Sequence, residues 1–437
     1  MSEQQAAASG AAPAAPPPRN HLIDLARVGS VVVVVVFHTL LYKLSLDGGQ
    51  IVVTPWAPGA VGWALSWLGT IMPVFFVAAG FANTVIVDRA ATSRTPYADY
   101  LVQRCRRLLG PMTLYLIAST VVSTVPAWFG PTAQAVELSR QFAQVLWFLA
   151  VYLLIVALAP LAVGAHDRWG WLPMIPLVLA TIAVDAWSFA VGDHMVRWLN
   201  LLFVWPLAHQ WGIAYHRGWF RRWRIRVNAG VIAGSALVIG FLVFALGYPP
   251  TAVGWADIPI GNVQPATIAI AVLGLAQTSA LGILERRGVG RTLPARAVGV
   301  VGLANALLFT VYLWHIPAIL LAGSALWGLA VLGPSAAALL LSQPVFVLLV
   351  LATVAVVMPW IARVELALIP RLGAEPARPV QVYLGFGLLL AGTTAVWQAG
   401  MVVHPAAPIS SLGVLVLACG IVVTGRAAHP LPRPRLD

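Results

Sequence analysis

The run LIDLARVGSVVVVVVFHTLLY (22–42) is apolar over the roughly 20 residues that an α-helix needs to cross about 30 Å of hydrocarbon. Runs of the same length recur along the chain, centred near residues 32, 73, 118, 154, 181, 207, 237, 274, 311, 348, 390 and 417. They predict an all-α integral membrane protein with about twelve transmembrane helices. Composition agrees: 60% of the 437 residues are hydrophobic and 9% are charged, which would leave a water-soluble globule short of polar surface. Residues 1–18, MSEQQAAASGAAPAAPPP, are small, rich in Pro and Ala and free of a basic stretch. A disordered cytoplasmic tail is expected there rather than a signal peptide, so the first membrane helix serves as the insertion signal.

The net charge of +12 alternates by loop. Arg19, the loops 88–108, 166–170, 216–226, 285–296 and 362–378, and the C-terminal tail hold nearly all of the 26 Lys and Arg residues. The intervening loops hold only Lys43, Arg140 and Arg197, and Arg27 lies within the first span. By the positive-inside rule the basic loops and both termini face the cytoplasm, as in a multi-pass protein of the plasma (inner) membrane. Topology and anionic membrane lipids account for the charge, and no aromatic-interleaved motif supports nucleic-acid binding. Several of the 18 tryptophans (Trp56, Trp128, Trp169, Trp198, Trp219, Trp255, Trp360) fall near span ends, where an interfacial belt is expected. The two halves show no convincing repeat, and the loops are short, with no room for a separate soluble domain.

Three ionisable residues interrupt the first span: Asp24, Arg27 and His38. A charge deep in a membrane helix costs about 2.5–3.5 kcal/mol on insertion scales, so such residues face a bundle interior or a watery cavity. Arg27 and His38 are eleven positions apart, roughly three helical turns, which places them on one face about 16 Å apart along the axis. Asp24 shares that side and is spaced to pair with Arg27. A guanidinium near the headgroups and an imidazole deeper in the membrane suit a long cytosolic ligand. Arg27 can hold phosphate bidentately, and an imidazole with a reference pKa near 6.5 can serve as general base toward a hydroxyl. The same residues also fit a snorkelling Asp24–Arg27 pair with a packed histidine.

From these residues outward the sequence resembles the membrane-bound acyltransferase 3 family of bacterial O-acyltransferases. Arg27 followed after ten residues by His38, with Asp24 before them, is similar to the family's opening signature. FFVAAGF (75–81) resembles its second-helix motif, with Ala79 where relatives usually carry serine. RCRRLLGP (104–111) is similar to the basic entry of the third helix, WFLAVYLLIVALAPL (147–161) to the Trp-Phe helix, and VYLWHIP (311–317) to the late Tyr-Leu-Trp-His segment. The resemblance implies a ten-helix acyltransferase-like domain over 19–365. Two additional helices and a short basic tail follow over 366–437. It implies transfer of an acetyl or other short acyl group from cytosolic acyl-CoA, acetyl-CoA foremost, to a hydroxyl of a sugar, cell-envelope glycan, lipid-linked or secondary-metabolite acceptor.

His315 lies about as far along its span as His38 does along the first, so the two are expected at one cavity, with Tyr312 on the same side. The expected catalytic set is His38, Arg27, Asp24 and His315. Arg27, Arg104 and Arg107 are expected to grip the CoA phosphates, with Arg106 on another face, and Trp147, Phe148 and Tyr312 either wall an acyl pocket or pack. Asn83 and Asp185 are polar residues whose partners the sequence leaves open. Cys105 and Cys419 form no disulfide framework and offer no well-placed thiol nucleophile. His209 and His216 share a face but are too far apart to ligate one metal, and no other metal-binding spacing occurs. The competing reading is a twelve-helix secondary transporter with Asp24, Arg27 and His38 as its substrate or proton path.

Overall fold

The computed structural model describes residues 20–47, 50–373 and 375–428. The tail 1–18, Arg19 and the residues from 429 onward lie outside them. Chain order is α1 (His21–Leu40), a hairpin of β1 (Tyr42–Asp47) and β2 (Gln50–Pro55), α2 (Gly59–Gly69), α3 (Met72–Thr92), α4 (Tyr97–Phe129), α5 (Thr132–Ala143), α6 (Leu146–Trp169) and α7 (Met174–Val191). A 3₁₀ segment (His194–Leu202) leads into α8 (Val204–His216), α9 (Trp219–Arg222), α10 (Ile225–Leu246) and α11 (Ile268–Arg286). Then come α12 (Ala295–Leu332), α13 (Ala337–Leu340), α14 (Gln343–Ala367), α15 (Pro379–Ala399) and α16 (Pro408–Ala428). Among the described residues 11 helical stretches are long and apolar enough to cross a membrane, α2 and α3 counting as one.

The segment centred near residue 207, expected as one of about twelve spans, is not one of these stretches; it runs through the bundle in two short pieces. α6 and α7 are joined by a short turn, so Asp167 at the end of α6 lies at the same face of the bundle as the start of α7. The 3₁₀ segment begins at the far end of α7 and packs back along it. Arg217, directly after α8, returns to the first face, where it donates to both carboxylate oxygens of Asp88 and of Asp167 at 2.7–2.8 Å. These carboxylates, Asp88 first, raise the Arg217 pKa above its ordinary value. Nine residues of 3₁₀ helix and 13 of α-helix thus make one crossing, because the tighter 3₁₀ winding rises faster per residue.

The valine-rich α1 is helical although β-branched residues favour strands in water, since a lone span must satisfy its backbone internally. Asn20 caps it, accepting from the Ile23 amide at 3.2 Å. Ser30 and Thr39 donate to carbonyls one turn back at 2.7 and 2.8 Å, so neither hydroxyl is stranded in an apolar medium. α1 packs on α3, α12 and α14, while the α15–α16 hairpin lies against α4 and α6.

α3 and α8 meet with their backbones in contact. A Cβ at Gly80 would collide with the His209 carbonyl and the Gly212 Cα, and one at Gly212 with the Val77 carbonyl and the Gly80 Cα. Gly80 is the glycine of the 75–81 motif, and only a glycine permits this approach. Gly110 serves likewise where α4 crosses α14 at the Glu365 carbonyl.

At the end opposite the basic loops, residues 247–267 form a buried cap rather than a plain short loop. Asn262 is fully buried and donates to the Pro249 and Thr251 carbonyls at 2.7 and 2.9 Å. Trp67 donates to Pro250 and Trp63 to Asp257 at 3.0 and 2.9 Å, which ties the cap to α2. Trp255, expected in the interfacial belt, instead points inward from the cap and packs against Phe37 and Trp56, with centroids at 5.2 and 5.6 Å. Asp185 joins the same end. It accepts from Tyr248, Asn200 and the Ile268 amide at 2.9–3.0 Å. Burial, then the adjacent Asp185, raise the Tyr248 pKa, so its hydroxyl stays a donor. Arg197, placed by the sequence in one of the intervening loops, is buried in the 3₁₀ segment with its guanidinium over the Phe189 ring.

Gly80→Val is expected to destabilise the protein by at least about 1–3 kcal/mol through overpacking of backbone against backbone. Gly387→Ala, where a Cβ meets nothing within 4 Å, is expected to be neutral. Thermal unfolding in nanodiscs, followed by tryptophan fluorescence, compares the two.

Candidate active site

Two cavities approach each other from opposite ends of the bundle. The larger, about 890 Å³, opens at the end carrying the basic loops and is walled by α1, α3, α4, α6, α12 and α14. Five guanidiniums line it: Arg27, Arg104, Arg106, Arg107 and Arg363. No carboxylate pairs with any of the five among the described residues. Among the described residues its one acidic lining residue is Glu365, buried and accepting from the Thr310 hydroxyl and from Trp314 Nε1 at 2.9 Å. The result is a strongly electropositive shaft whose positive field falls off toward its inner end, where Phe75, Phe148 and Tyr312 take over the wall.

Each expected arginine reaches this shaft. Arg27 faces it from α1, while Asp24, buried one turn earlier, does not line it. Arg104 donates to Asn83 Oδ1 at 2.8 Å and to the Tyr152 hydroxyl at 3.0 Å, two neutral partners that fix its direction without cancelling its charge. Asn83, whose partners the sequence left open, in turn bonds His209 Nε2 at 3.2 Å, so Arg104, Asn83 and His209 form one chain across α4, α3 and α8. Arg106 lines the shaft too, against the expectation of another face. Its reach brings Nη1 to the Pro370 carbonyl at 3.0 Å, and a long flexible stem can cross the boundary that helical angles define. Ala79 also looks into the shaft and offers it no hydroxyl.

The smaller cavity, about 80 Å³, lies at the other end beneath the 247–267 cap. His38 forms part of its wall, with Phe37, Trp147, Tyr312, Gln144 and Gln264. Gln144 and Gln264 are exposed and rim the mouth. Among the described residues no Asp, Glu, Lys or Arg lines this chamber. Arg27 and His38 therefore face two cavities rather than the single one the shared helix face suggested. Tyr312 belongs to both walls. Its hydroxyl donates to the Val145 carbonyl at 2.8 Å and its ring lies 4.7 Å from Phe148, so it stands as a partition.

His38 Nδ1 lies 2.8 Å from the Val34 carbonyl. Since a carbonyl only accepts, Nδ1 carries the hydrogen and Nε2 keeps a lone pair. His315 is arranged alike, with Nδ1 2.6 Å from the Tyr312 carbonyl and a buried Nε2 that has no partner among the described residues. The two rings meet edge to face at 4.8 Å. The expected meeting of α1 and α12 at these histidines is thus present, yet His315 is wholly buried and lines neither cavity. Trp147 and Phe148 divide their work, the first walling the chamber and the second the shaft. Glu365 and Arg363 were not singled out in the sequence. Arg363 reads there as one more topology charge and Glu365 as a loop acid, and no local pattern marks either as facing inward.

Cys105 is buried and Cys419 exposed on the last helix, and neither thiol lines the shaft or the chamber. Among the described residues no group of His, Cys, Asp or Glu is arranged to hold a metal ion.

Asn83→Leu should leave the Arg104 and His209 side chains without their shared partner and destabilise the protein by about 1–3 kcal/mol. Thermal unfolding of the variant beside the wild type measures this.

The sequence model of one protein family, described as an acyltransferase domain, matches residues 20–363. No curated protein and no solved structure matches the chain. The matched segment runs from the cap of α1 to the last turns of α14, and leaves α15 and α16 beyond it.

Proposed function

Since this chain belongs to the acyltransferase 3 family and is a multi-pass membrane acyltransferase, we propose that it moves an acetyl or other short acyl group from cytosolic acyl-CoA to a hydroxyl, with His38 as general base. The observation that carries the proposal is the position of His38. It sits beyond the inner end of an arginine-lined shaft, on the wall of a chamber that no Asp, Glu, Lys or Arg lines among the described residues, and Tyr312 contributes to the walls of both spaces. In this reading the basic end is cytoplasmic in the plasma membrane, with both termini on that side. The CoA phosphates rest against Arg27, Arg104 and Arg107. The extended arm carries its thioester inward past Phe148, and rotation of Tyr312 joins shaft and chamber.

The acceptor arrives through the mouth at Gln144 and Gln264. His38 Nε2 takes the hydroxyl proton as the oxygen attacks the thioester carbon. The tetrahedral intermediate collapses to the ester and expels the CoA thiolate, which recovers the proton from His38. His315 packs behind the base and acts as a positioning residue, and Asp24 belongs to the buried N-terminal turn that orients Arg27. The transfer needs no metal in this scheme.

His38→Ala is expected to lower acyl transfer at least about 100-fold while labelled acetyl-CoA still binds. Arg27→Ala is expected to weaken that binding about tenfold. Purified protein in nanodiscs, assayed for thiol release and for acetyl-CoA binding, separates the two. Wild-type transfer by a folded His38→Ala protein removes the assignment.

The chamber's uncharged wall supports a neutral acceptor surface, such as an unmodified sugar ring of a glycan or of a lipid-linked saccharide, with the two glutamines bonding its hydroxyls and Trp147 supplying an apolar face. Methyl hexosides are expected to stimulate thiol release above hydrolysis, whereas methyl hexuronides at equal concentration are not. The reverse ranking, measured in the same assay, excludes a neutral acceptor.

A further inference from the structure

A third cavity, about 380 Å³, opens at the basic end between the C-terminal turns of α3 and the first turns of α4. Arg89, Thr95, Tyr100, Gln103, Arg104 and Arg107 contribute to its wall. Arg104 and Arg107 also line the large shaft, so the two spaces adjoin across these side chains. Among the described residues no acidic side chain lines it. Arg89 and Arg107 are exposed and pair with no carboxylate among the described residues.

The hydroxyls present are already engaged. Ser93 donates to the Arg89 carbonyl at 2.9 Å and shares a 2.7 Å bond with Thr95. Tyr100 donates to the Val156 carbonyl, so its ring rather than its hydroxyl faces the space. The donors toward a ligand are the Arg89 and Arg107 guanidiniums, the part of the Arg104 guanidinium that Asn83 and Tyr152 do not engage, and the Gln103 amide, beside an aromatic ring. That set matches a phosphomonoester dianion attached to a planar or sugar-like body.

We infer that this cavity holds the 3′-phosphate end of acyl-CoA, with Arg89 as its principal ligand. The inference rests on the reading of the shaft as the acyl-CoA channel. It places the diphosphate at the wall shared by Arg104 and Arg107, and turns the nucleotide sideways out of the shaft while the arm runs inward. The protein then selects its donor at the end farthest from the reacting carbon, and discriminates against thioesters that lack the third phosphate. The same chemistry could be supplied by the headgroup of an anionic lipid at this membrane face, and the bilayer composition separates the two sources.

The test uses the full chain in nanodiscs of phosphatidylcholine alone or with phosphatidylglycerol. Binding of acetyl-CoA is compared with that of acetyl-dephospho-CoA, which differs only in the 3′-phosphate. The wild type is expected to prefer acetyl-CoA by about tenfold or more in both bilayers. Arg89→Gln is expected to bring the two donors within about twofold by weakening acetyl-CoA. Arg94→Gln, in the same loop but outside the cavity wall, is expected to keep the full preference, which excludes a general effect of surface charge. Equal affinity of the wild type for both donors overturns the inference. So does an Arg89→Gln protein that loses affinity for both donors alike. Retention of phosphatidylglycerol through Arg89, with no preference between donors, assigns the cavity to lipid and overturns it as well. Should neither thioester bind the wild type, the acyl-CoA reading of the shaft falls and takes this inference with it; binding without preference leaves that reading standing.

Discussion

A bilayer cannot solvate a guanidinium or an imidazole, and this constraint organises the protein. Arg27 and His38 sit on a helix that is otherwise continuous hydrocarbon, so α1 must turn one face inward along its whole length. α12 and α14 cover that face, and in doing so bring His315 against His38 and Glu365 into the shaft. The same constraint shapes side chains that have no chemistry to perform. Ser30, Thr39 and Thr310 return their hydroxyls to groups inside the bundle, and Asp185 collects three donors where α7, the 3₁₀ segment and α11 converge.

The electrostatic character of the two ends differs because the residues differ, and the difference suits two reactants of unlike charge. Unneutralised arginines at one end create a field that concentrates a polyanion. The chamber at the other end has amides and aromatic rings and no charge, so it exerts no comparable pull on ions. Tyr312 keeps the two apart. In the proposed reaction, a partition of this kind separates the thioester from water on the far side until both reactants are seated, which serves a transfer that would otherwise end in hydrolysis.

Precise helix contact underlies both cavities. The Gly80–Gly212 approach draws α3 onto α8 closely enough for Asn83 to reach His209 and Arg104 together. A wider separation would leave Arg104 free to swing, and its charge would no longer be aimed at the shaft. The cap over residues 247–267 is held in a comparable way. Its buried Asn262 and its bonds to Trp63 and Trp67 keep Val253, Val263 and Gln264 at the chamber.

What the sequence determined by itself follows from local periodicity. Hydrophobic length marks the spans, the alternation of arginines orders the loops, and the three-turn spacing of Arg27 and His38 puts them on one face, all of which depend on the rise and twist of a single helix. Family motifs added the nature of the chemistry and pointed to His315, Arg104 and Arg107. Only tertiary structure decided that Arg27 and His38 open into separate cavities, that Arg106, Arg363 and Glu365 join the shaft, that Trp255 points inward from a cap, and that residues near 207 cross partly as a 3₁₀ helix. These depend on which helix faces meet and how closely, a matter of contacts between residues tens to hundreds of positions apart, on which the period of any one segment is silent.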